Sequence, residues 1–416
     1  MKIAELHKLR LVAKTPIFVW SGEALKPLSY LVEGDTVHVL DEEKFFVQLS
    51  SQEQQRYLTW IDPLLDRLAR LDEQIAQVKD DFERRRQLQR QRRELESELS
   101  LRHFLANILK TRPMAFVSQC EAYAVRCHVP PERDGFRLHL KDIAYRPYLP
   151  GTEIKGTFRT AVLYALVSNP NNYPWLRSQL TEFRSFFRSG ASPREKIRRL
   201  GKLASALEAK FLRGEQGGDV KDEAHFDFFR MFQVSDSTPL SPANLRIELT
   251  QMLGTRRYTK TWIESIAPGS EVFVQVGLGD RALILRELGL KRLQEWLSLP
   301  KLLEACFIRS RDILDQEAKQ FADQPRLKAL VVELQRENKP DAPLLRLGQG
   351  QGFLGVTINL PIQQRDARLY DEAIREGVSF QRRWRTQPGN FPKTRRVITD
   401  HGGIPINLLG WVKISP

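Results

Sequence analysis

Apolar positions change period several times along the chain, and each change marks an element. From 5 to 14, Leu9, Leu11 and Ala13 alternate with His7, Lys8, Arg10 and Val12, which predicts a strand ended by Thr15-Pro16. Trp20-Ser21-Gly22-Glu23 reads as a small turn at a strand end. Residues 30–32 and 37–40 flank Glu33-Gly34-Asp35 and predict a hairpin. Asp41-Glu42-Glu43 before Lys44-Phe45-Phe46 reads as a capped helix start. From 62 to about 110 the period lengthens. Leu64, Leu68, Leu71, Ile75, Val78 and Phe82 fall four and three apart, a heptad seam that falters over Arg84-Arg85-Arg86 and resumes at Leu88, Leu95 and Leu99. The spacing predicts one long helix or a helical hairpin standing out from a globular body.

Strands follow at about 114–128 and 136–145. Pro150-Gly151 then breaks the chain, Thr152 is suited to an N-cap, and Glu153 suits a first helical turn. Ile154, Phe158, Ala161, Val162, Ala165 and Leu166 make one helical stripe facing a core. A basic helical region spans 189–212, and the polar, glycine-containing stretch 214–223 is a candidate domain boundary. Strands are expected at 226–235, 244–253 and 271–278, with Pro268-Gly269-Ser270 turning between the last two. Residues 286–337 read as helical with a break at Pro300, and 356–360 alternate like a strand. Strands separated by single helices, twice over, predict an α+β protein with antiparallel sheets. Its expected units are 1–215, interrupted by the helical insertion 62–110, and 216–416.

Composition narrows the function. The 416 residues leave room for two or three domains, and the net charge of +14 favours a polyanionic partner. No run of about 18 apolar residues exists, and the start lacks the basic-then-apolar pattern of a signal peptide, so a cytosolic protein without a membrane role is expected. Cys120, Cys127 and Cys306 form no metal spacing and are expected to be reduced and structural.

Candidate chemistry gathers in three places. The polar face at the start of the 151 helix carries Thr152, Lys155, Gly156 and Arg159, with the last two cations one turn apart. Lys155 sits unfavourably in the positive end of the helix dipole unless an anion binds there, so this face reads as a phosphate-binding helix start. Next, Gly348, Gly350, Gly352 and Gly355 form a glycine loop. Gly350 to Gly355 matches the dinucleotide-binding spacing letter for letter, but the alternating residues after it argue against that fold and leave a loop that admits a close backbone or ligand. The tail, 377–399, holds Arg382, Arg383, Arg385, Lys393, Arg395 and Arg396 with Phe380, Trp384 and Phe391 and no acid, a composition suited to single-stranded RNA. Catalytic evidence is thin. Seven histidines show no metal-ligand spacing, and no cofactor or metal is expected. His38 and His401 are the least implausible bases, and Asp236 reads as a loop-capping residue.

Four groups of residues together resemble the RAMP proteins of type III CRISPR effectors, in particular the end-capping backbone subunits of Csm complexes. They are Thr15-Pro16 with Ser21-Gly22-Glu23 and Tyr30; Leu149 to Ala161, containing Gly151-Thr152-Glu153-Ile154-Lys155-Gly156; Val234-Ser235-Asp236-Ser237; and Leu345 to Phe353, with Pro392-Lys393-Thr394-Arg395-Arg396 and Leu409-Gly410-Trp411-Val412. The resemblance implies two ferredoxin-like, RRM-related units and CRISPR RNA as ligand. It implies a place at the RNA 3′ end, beside the repeated backbone subunit and the small helical subunit, with target RNA met indirectly. RNA-binding positions expected on this basis are Ser21, Gly22, Gly151, Thr152, Lys155, Gly156, Arg159, Gly348, Gly350, Gly352, Lys393, Arg395 and Arg396, gripping phosphates independently of sequence. Members of this type support RNA maturation without a firmly assigned nuclease site, so no catalytic residue is expected. The alternatives are a metal-independent endoribonuclease that processes CRISPR repeats, as some RAMP relatives are, and a helical scaffold working through 62–110.

Overall fold

The computed structural model describes residues 3–78, 81–216, 219–220, 226–254, 259–280, 289–375 and 394–416. The alternating opening strand, Ile3–Ala13, is central to a five-stranded antiparallel sheet. It pairs with Glu271–Gly279 on one side, Leu9 opposite Val274, and with Trp411–Ser415 on the other, Leu11 opposite Ile414. Phe232–Val234 and Leu344–Arg346 are its edges. Leu9, Leu11 and Ala13 are buried, as the period-two pattern predicts.

A nine-stranded sheet forms the second layer. Along it run Trp20–Leu25, Phe136–His139, Thr261–Ile266, Leu245–Leu253, Glu121–Cys127, Thr36–Leu40 and Tyr30–Glu33. One edge of Leu245–Leu253 is shared. It pairs in parallel at Arg246 and Ile247 with Arg126 and Cys127, then antiparallel from Thr250 to Leu253 with Arg395–Thr399. The sheet therefore forks there. Both sheets take strands from either side of position 215.

Several local expectations change in the tertiary setting. Residues 113–120 are a helix with Pro113 in its first turn, and only Glu121–Cys127 is strand. The strand from 136 stops at His139, and 228–231 is a tight helical turn before Phe232–Val234. Thr261–Ile266 is a strand unread from sequence, because five of its six residues are buried and its alternation is hidden. Pro300 opens the helix Leu299–Gln320 instead of breaking one, since proline fits a first turn. The alternating stretch after Gly355 lies across two short helices, Gly352–Val356 and Asn359–Arg365. The strand before them, Leu344–Arg346, is an antiparallel edge, so the spacing match is not part of a dinucleotide fold.

The heptad seam closes as a hairpin of Ser51–Gln77 and Phe82–Glu98. A capping box between Ser50 and Glu53 starts the first helix earlier than the apolar pattern does. Ile61, Leu64, Leu95 and Leu99 are buried between the helices, with Leu68 and Leu71 packed against them. Phe82 is exposed, because Asp81 caps the second helix and the seam does not run through the turn.

The helix Gly151–Ser168 is the centre of the molecule. Ile154, Phe158, Ala161, Val162, Ala165 and Leu166 are buried as the stripe predicts. Leu163, Tyr164 and Val167 are buried too, since Leu299–Gln320 covers the opposite side. The loop feeding this helix is anchored in the second sheet. Buried Glu264 accepts from the Tyr123 hydroxyl at 2.8 Å, from the His139 backbone N–H at 3.1 Å, and from Lys141 Nζ. His139 Nδ1 accepts from Val19 N at 3.2 Å, so its proton is on Nε2, which donates to the Tyr148 carbonyl at 3.2 Å.

Two outcomes follow from this packing. A Cβ on Gly151 would lie 2.3 Å from the Val234 carbonyl oxygen, whereas one on Gly156 meets open space. Gly151→Ala should cost on the order of 1–3 kcal/mol in urea unfolding, and Gly156→Ala should stabilise by up to about 1 kcal/mol. Burial pushes the His139 imidazole from 6.5 down to about 3. Between these values the unfolded chain binds the extra proton, so stability falls as pH drops from 6.5 toward 3, by up to about 1.4 kcal/mol per pH unit for this group. NMR titration should show the His139 ring neutral at pH 5.

Candidate nucleic-acid interface

The helix start and the glycine loop, far apart in sequence, meet. Glu153 accepts from the Gly348 backbone N–H at 2.7 Å and from Gln351 Nε2 at 3.3 Å. Gly348 has φ +65°, and a Cβ there would lie 2.1 Å from the Phe18 carbonyl oxygen. Gly350 has φ +105° and presses on Leu409. These two glycines serve close backbone packing. Gly352 is exposed, with only the Arg395 side chain within 4 Å of its would-be Cβ.

The helix start itself already holds an anion. Asp236 Oδ1 accepts from the Gly151 N–H at 2.8 Å, and the Glu153 and Ile154 N–H groups point to the Pro150 carbonyl. Asp236 rather than Thr152 is therefore the capping side chain, and Thr152 is exposed. The expected open ring of backbone donors is replaced by an internal carboxylate, because Gly151 packs directly onto the 234–236 segment.

The expected cations separate into two kinds. Arg159 donates to Asp227 at 2.5 Å and to Glu208 at 3.3 Å. Arg395 is buried near Glu317 and Arg346, and its Nη1 donates to the Thr394 carbonyl at 3.0 Å. Both are tied into the protein. Lys155 is half-buried beside open Gly156 and has no ion pair among the described residues; burial lowers its ammonium pKa, offset by Asp227. Lys393 and the aromatic-basic stretch with Phe380, Arg382, Arg383, Trp384, Arg385 and Phe391 lie outside the described residues.

Arg396 belongs to a patch that sequence reasoning missed. Its Nη1 donates to Thr250 Oγ1 at 2.9 Å, and burial, then the neighbouring Arg137, push its guanidinium pKa down. Arg137 stands with its guanidinium 5.1 Å from the centre of the Trp20 ring, and Trp20 is 53% exposed. Among the described residues no carboxylate pairs with Arg137 or Arg396. Two adjacent, partly desolvated cations lacking a counter-ion are unfavourable, and an external anion would reverse that. An exposed indole beside them offers a stacking surface. Ser21 and Gly22 continue from Trp20. Ser21 Oγ donates to the Leu138 carbonyl at 3.2 Å, and Gly22, at φ +99°, forms the bulge between Trp20 and Ala24 with nothing within 4 Å of its would-be Cβ. Gln349 N donates to the Phe18 carbonyl at 2.8 Å, so the glycine loop, Phe18 to Gly22, Arg137 and Arg396 form one connected region. Phe136-Arg137-Leu138, with the arginine alone less than fully buried, is the sequence signal that marks Arg137 as outward-facing.

Two of the three catalytic candidates have structural partners. His38 Nδ1 bonds Glu121, Asp236 caps the central helix, and His401 is exposed in a turn. Among the described residues no group of three His, Cys, Asp or Glu side chains is placed to hold a metal. No described helix is long and apolar enough to cross a membrane.

No family model matches the chain, and no curated protein matches it in sequence. Solved structures do match. A chain from the cryo-EM structure of a Csm–crRNA–target RNA ternary complex of a type III-A CRISPR-Cas system superposes with TM-score 0.60 at 18% identity, covering 98% of this chain and 100% of that one. The crystal structure of Csm5 from T. onnurineus gives TM-score 0.58 at 19% identity, covering 97% of this chain and 99% of that one. Over nearly its whole length, the chain has the fold of these Csm structures.

Proposed function

We propose that this chain is a non-catalytic RNA-binding subunit of a type III-A CRISPR effector, a RAMP protein seated at the 3′ end of the CRISPR RNA. Its partners on this reading are the CRISPR RNA, the repeated backbone subunit and the small helical subunit, with target RNA met indirectly and the whole working in the cytoplasm. The likeness to Csm structures, one of them holding crRNA and target RNA, supports the assignment. The observation that carries it is the pair Arg137 and Arg396, adjacent and without carboxylate partners among the described residues, beside the exposed ring of Trp20. Guanidinium groups hold phosphates through charge, and an indole stacks on any base. Neither reads sequence, which suits a guide whose letters are read by base pairing. Lys155, Thr152, Gly156, Gly352, Ser21 and Gly22 are accessible positions that would extend the same contact, while Gly151, Arg159, Gly348, Gly350 and Arg395 would shape it from behind. The same role is proposed for Lys393 on charge alone.

Salt titration of single-stranded RNA binding tests this. Arg137→Ala, Arg396→Ala and Lys155→Ala should each lower the slope of log affinity against log salt by about 0.7. Trp20→Ala should weaken binding by about 1–3 kcal/mol with the slope unchanged. Unaltered slopes for both arginine variants would overturn the assignment.

A further inference from the structure

The helical arm carries its charge unevenly. Of the arginines from 84 to 93, Arg92 turns toward the seam, pairing with Asp72 and Glu96 at 2.6 Å each. One flank is mixed in sign: a groove of about 410 Å³ places Arg67 and Arg70 of the first helix across from Glu94 and Glu98 of the second. Between 84 and 93 the outer face holds cations and no acid; Asp81 and Glu83, at the start of the helix, share a groove with Arg86 and Arg90. At about 100° per residue, Arg86, Arg90 and Arg93 fall within about 60° of one another, opposite Leu88, Leu95 and Leu99. All three are exposed, and none pairs with a carboxylate among the described residues. No acid occurs from 84 to 93. A rise of about 1.5 Å per residue sets Arg86 about 10 Å from Arg93 along the axis, enough for two or three successive phosphates.

This row leads to the Trp20 patch. At its base, exposed Arg133 donates to the Arg93 backbone carbonyl at 3.3 Å. Arg133 precedes Arg137 by four residues, so their Cα atoms are at most about 14 Å apart. The adjacent Glu132 is drawn to Lys260, at 3.2 Å. Arg133 thus links the base of the Arg86–Arg90–Arg93 row to the segment that carries Arg137, which neighbours Arg396, with exposed Asp134 lying between Arg133 and Arg137.

We propose that the outer arginine row of the arm is a second RNA-binding element, holding the phosphates of a single strand where it leaves the Trp20–Arg137–Arg396 patch. The proposal rests on the RNA-binding role argued above. It assigns the arm a polyanion rather than a protein partner, because unpaired guanidinium groups three and four residues apart along one face match a phosphate backbone.

The test uses the full chain and two single-stranded RNAs, of about five and about fifteen nucleotides, within the site sizes of single-strand binders. Replacing Arg86, Arg90 and Arg93 together with alanine should lower the salt slope for the longer RNA by about 2, three phosphate contacts at about 0.7 each, and leave the shorter unchanged. The same three positions changed to lysine should keep the slope, since charge is retained. Alanine favours helix at exposed positions, so circular dichroism should show the arm intact. An unchanged slope on the longer RNA, or equal loss on both lengths, overturns the proposal. So does loss of a bound acidic protein from the alanine variant with RNA binding untouched. Wild-type protein that binds neither RNA would instead overturn the role proposed in the preceding subsection.

Discussion

The backbone contact between Gly151 and the 234–236 segment holds the rest in place. Only glycine allows the helix start to lie this close to the Val234 and Ser235 carbonyls, and that closeness lets Asp236 reach the first N–H. Two residues later Glu153 catches the Gly348 N–H, and Gly348 in turn lies against Phe18. A single helix end thereby fastens the edge of the five-stranded sheet, the glycine loop and the segment leading to Trp20. The same helix is apolar around its later turns and cannot leave its position without exposing Phe158, Leu163 and Tyr164.

Charge in this protein works at two levels. Arg346 is 1% exposed, ion-paired with Glu317, bonded to the Leu409 carbonyl at 3.1 Å, and stacked 5.1 Å from the centre of the Trp411 ring. Buried Arg309 donates to the Gly355 carbonyl and lies near Arg346. These arginines join the helix Leu299–Gln320 to the strands and loop around Gly348. A net charge of +14 thus counts side chains whose partners are internal, along with those facing solvent. What distinguishes Arg137, Arg396 and the Arg86–Arg90–Arg93 row is that among the described residues no carboxylate pairs with them, as Asp227 does with Arg159, and that none of them is buried as Arg395 is, which composition does not register. Holding uncompensated cations near one another is tolerable where a polyanion is the usual neighbour.

Much of the architecture is legible in the chain because short-range alternation is enough to state it. The opening strand, the 30–40 hairpin, the strands near 245 and 271, the stripe from Ile154 and the heptads of the arm each declare which side is apolar within a dozen residues. The glycine loop likewise announces a place of close approach, and Gly348 proves to be a close backbone contact; Gly151, read from sequence as a chain break and an RNA contact, proves to be another. Where burial is two-sided, as in Thr261–Ile266, that language fails, since nothing alternates.

By itself the sequence determined the α+β character, the helical arm, the excess of positive charge and the stretches around 151 and 348 that must come close to something. Only the tertiary structure decided what they come close to. It set a carboxylate from Asp236 where an outside anion was expected, tied Arg159 and Arg395 inward, and brought Arg137 from one strand beside Arg396 from another and under the ring of Trp20. The reason is physical: periodicity reports which face of an element is buried, but the partner of a charge depends on which strands pair across the fold.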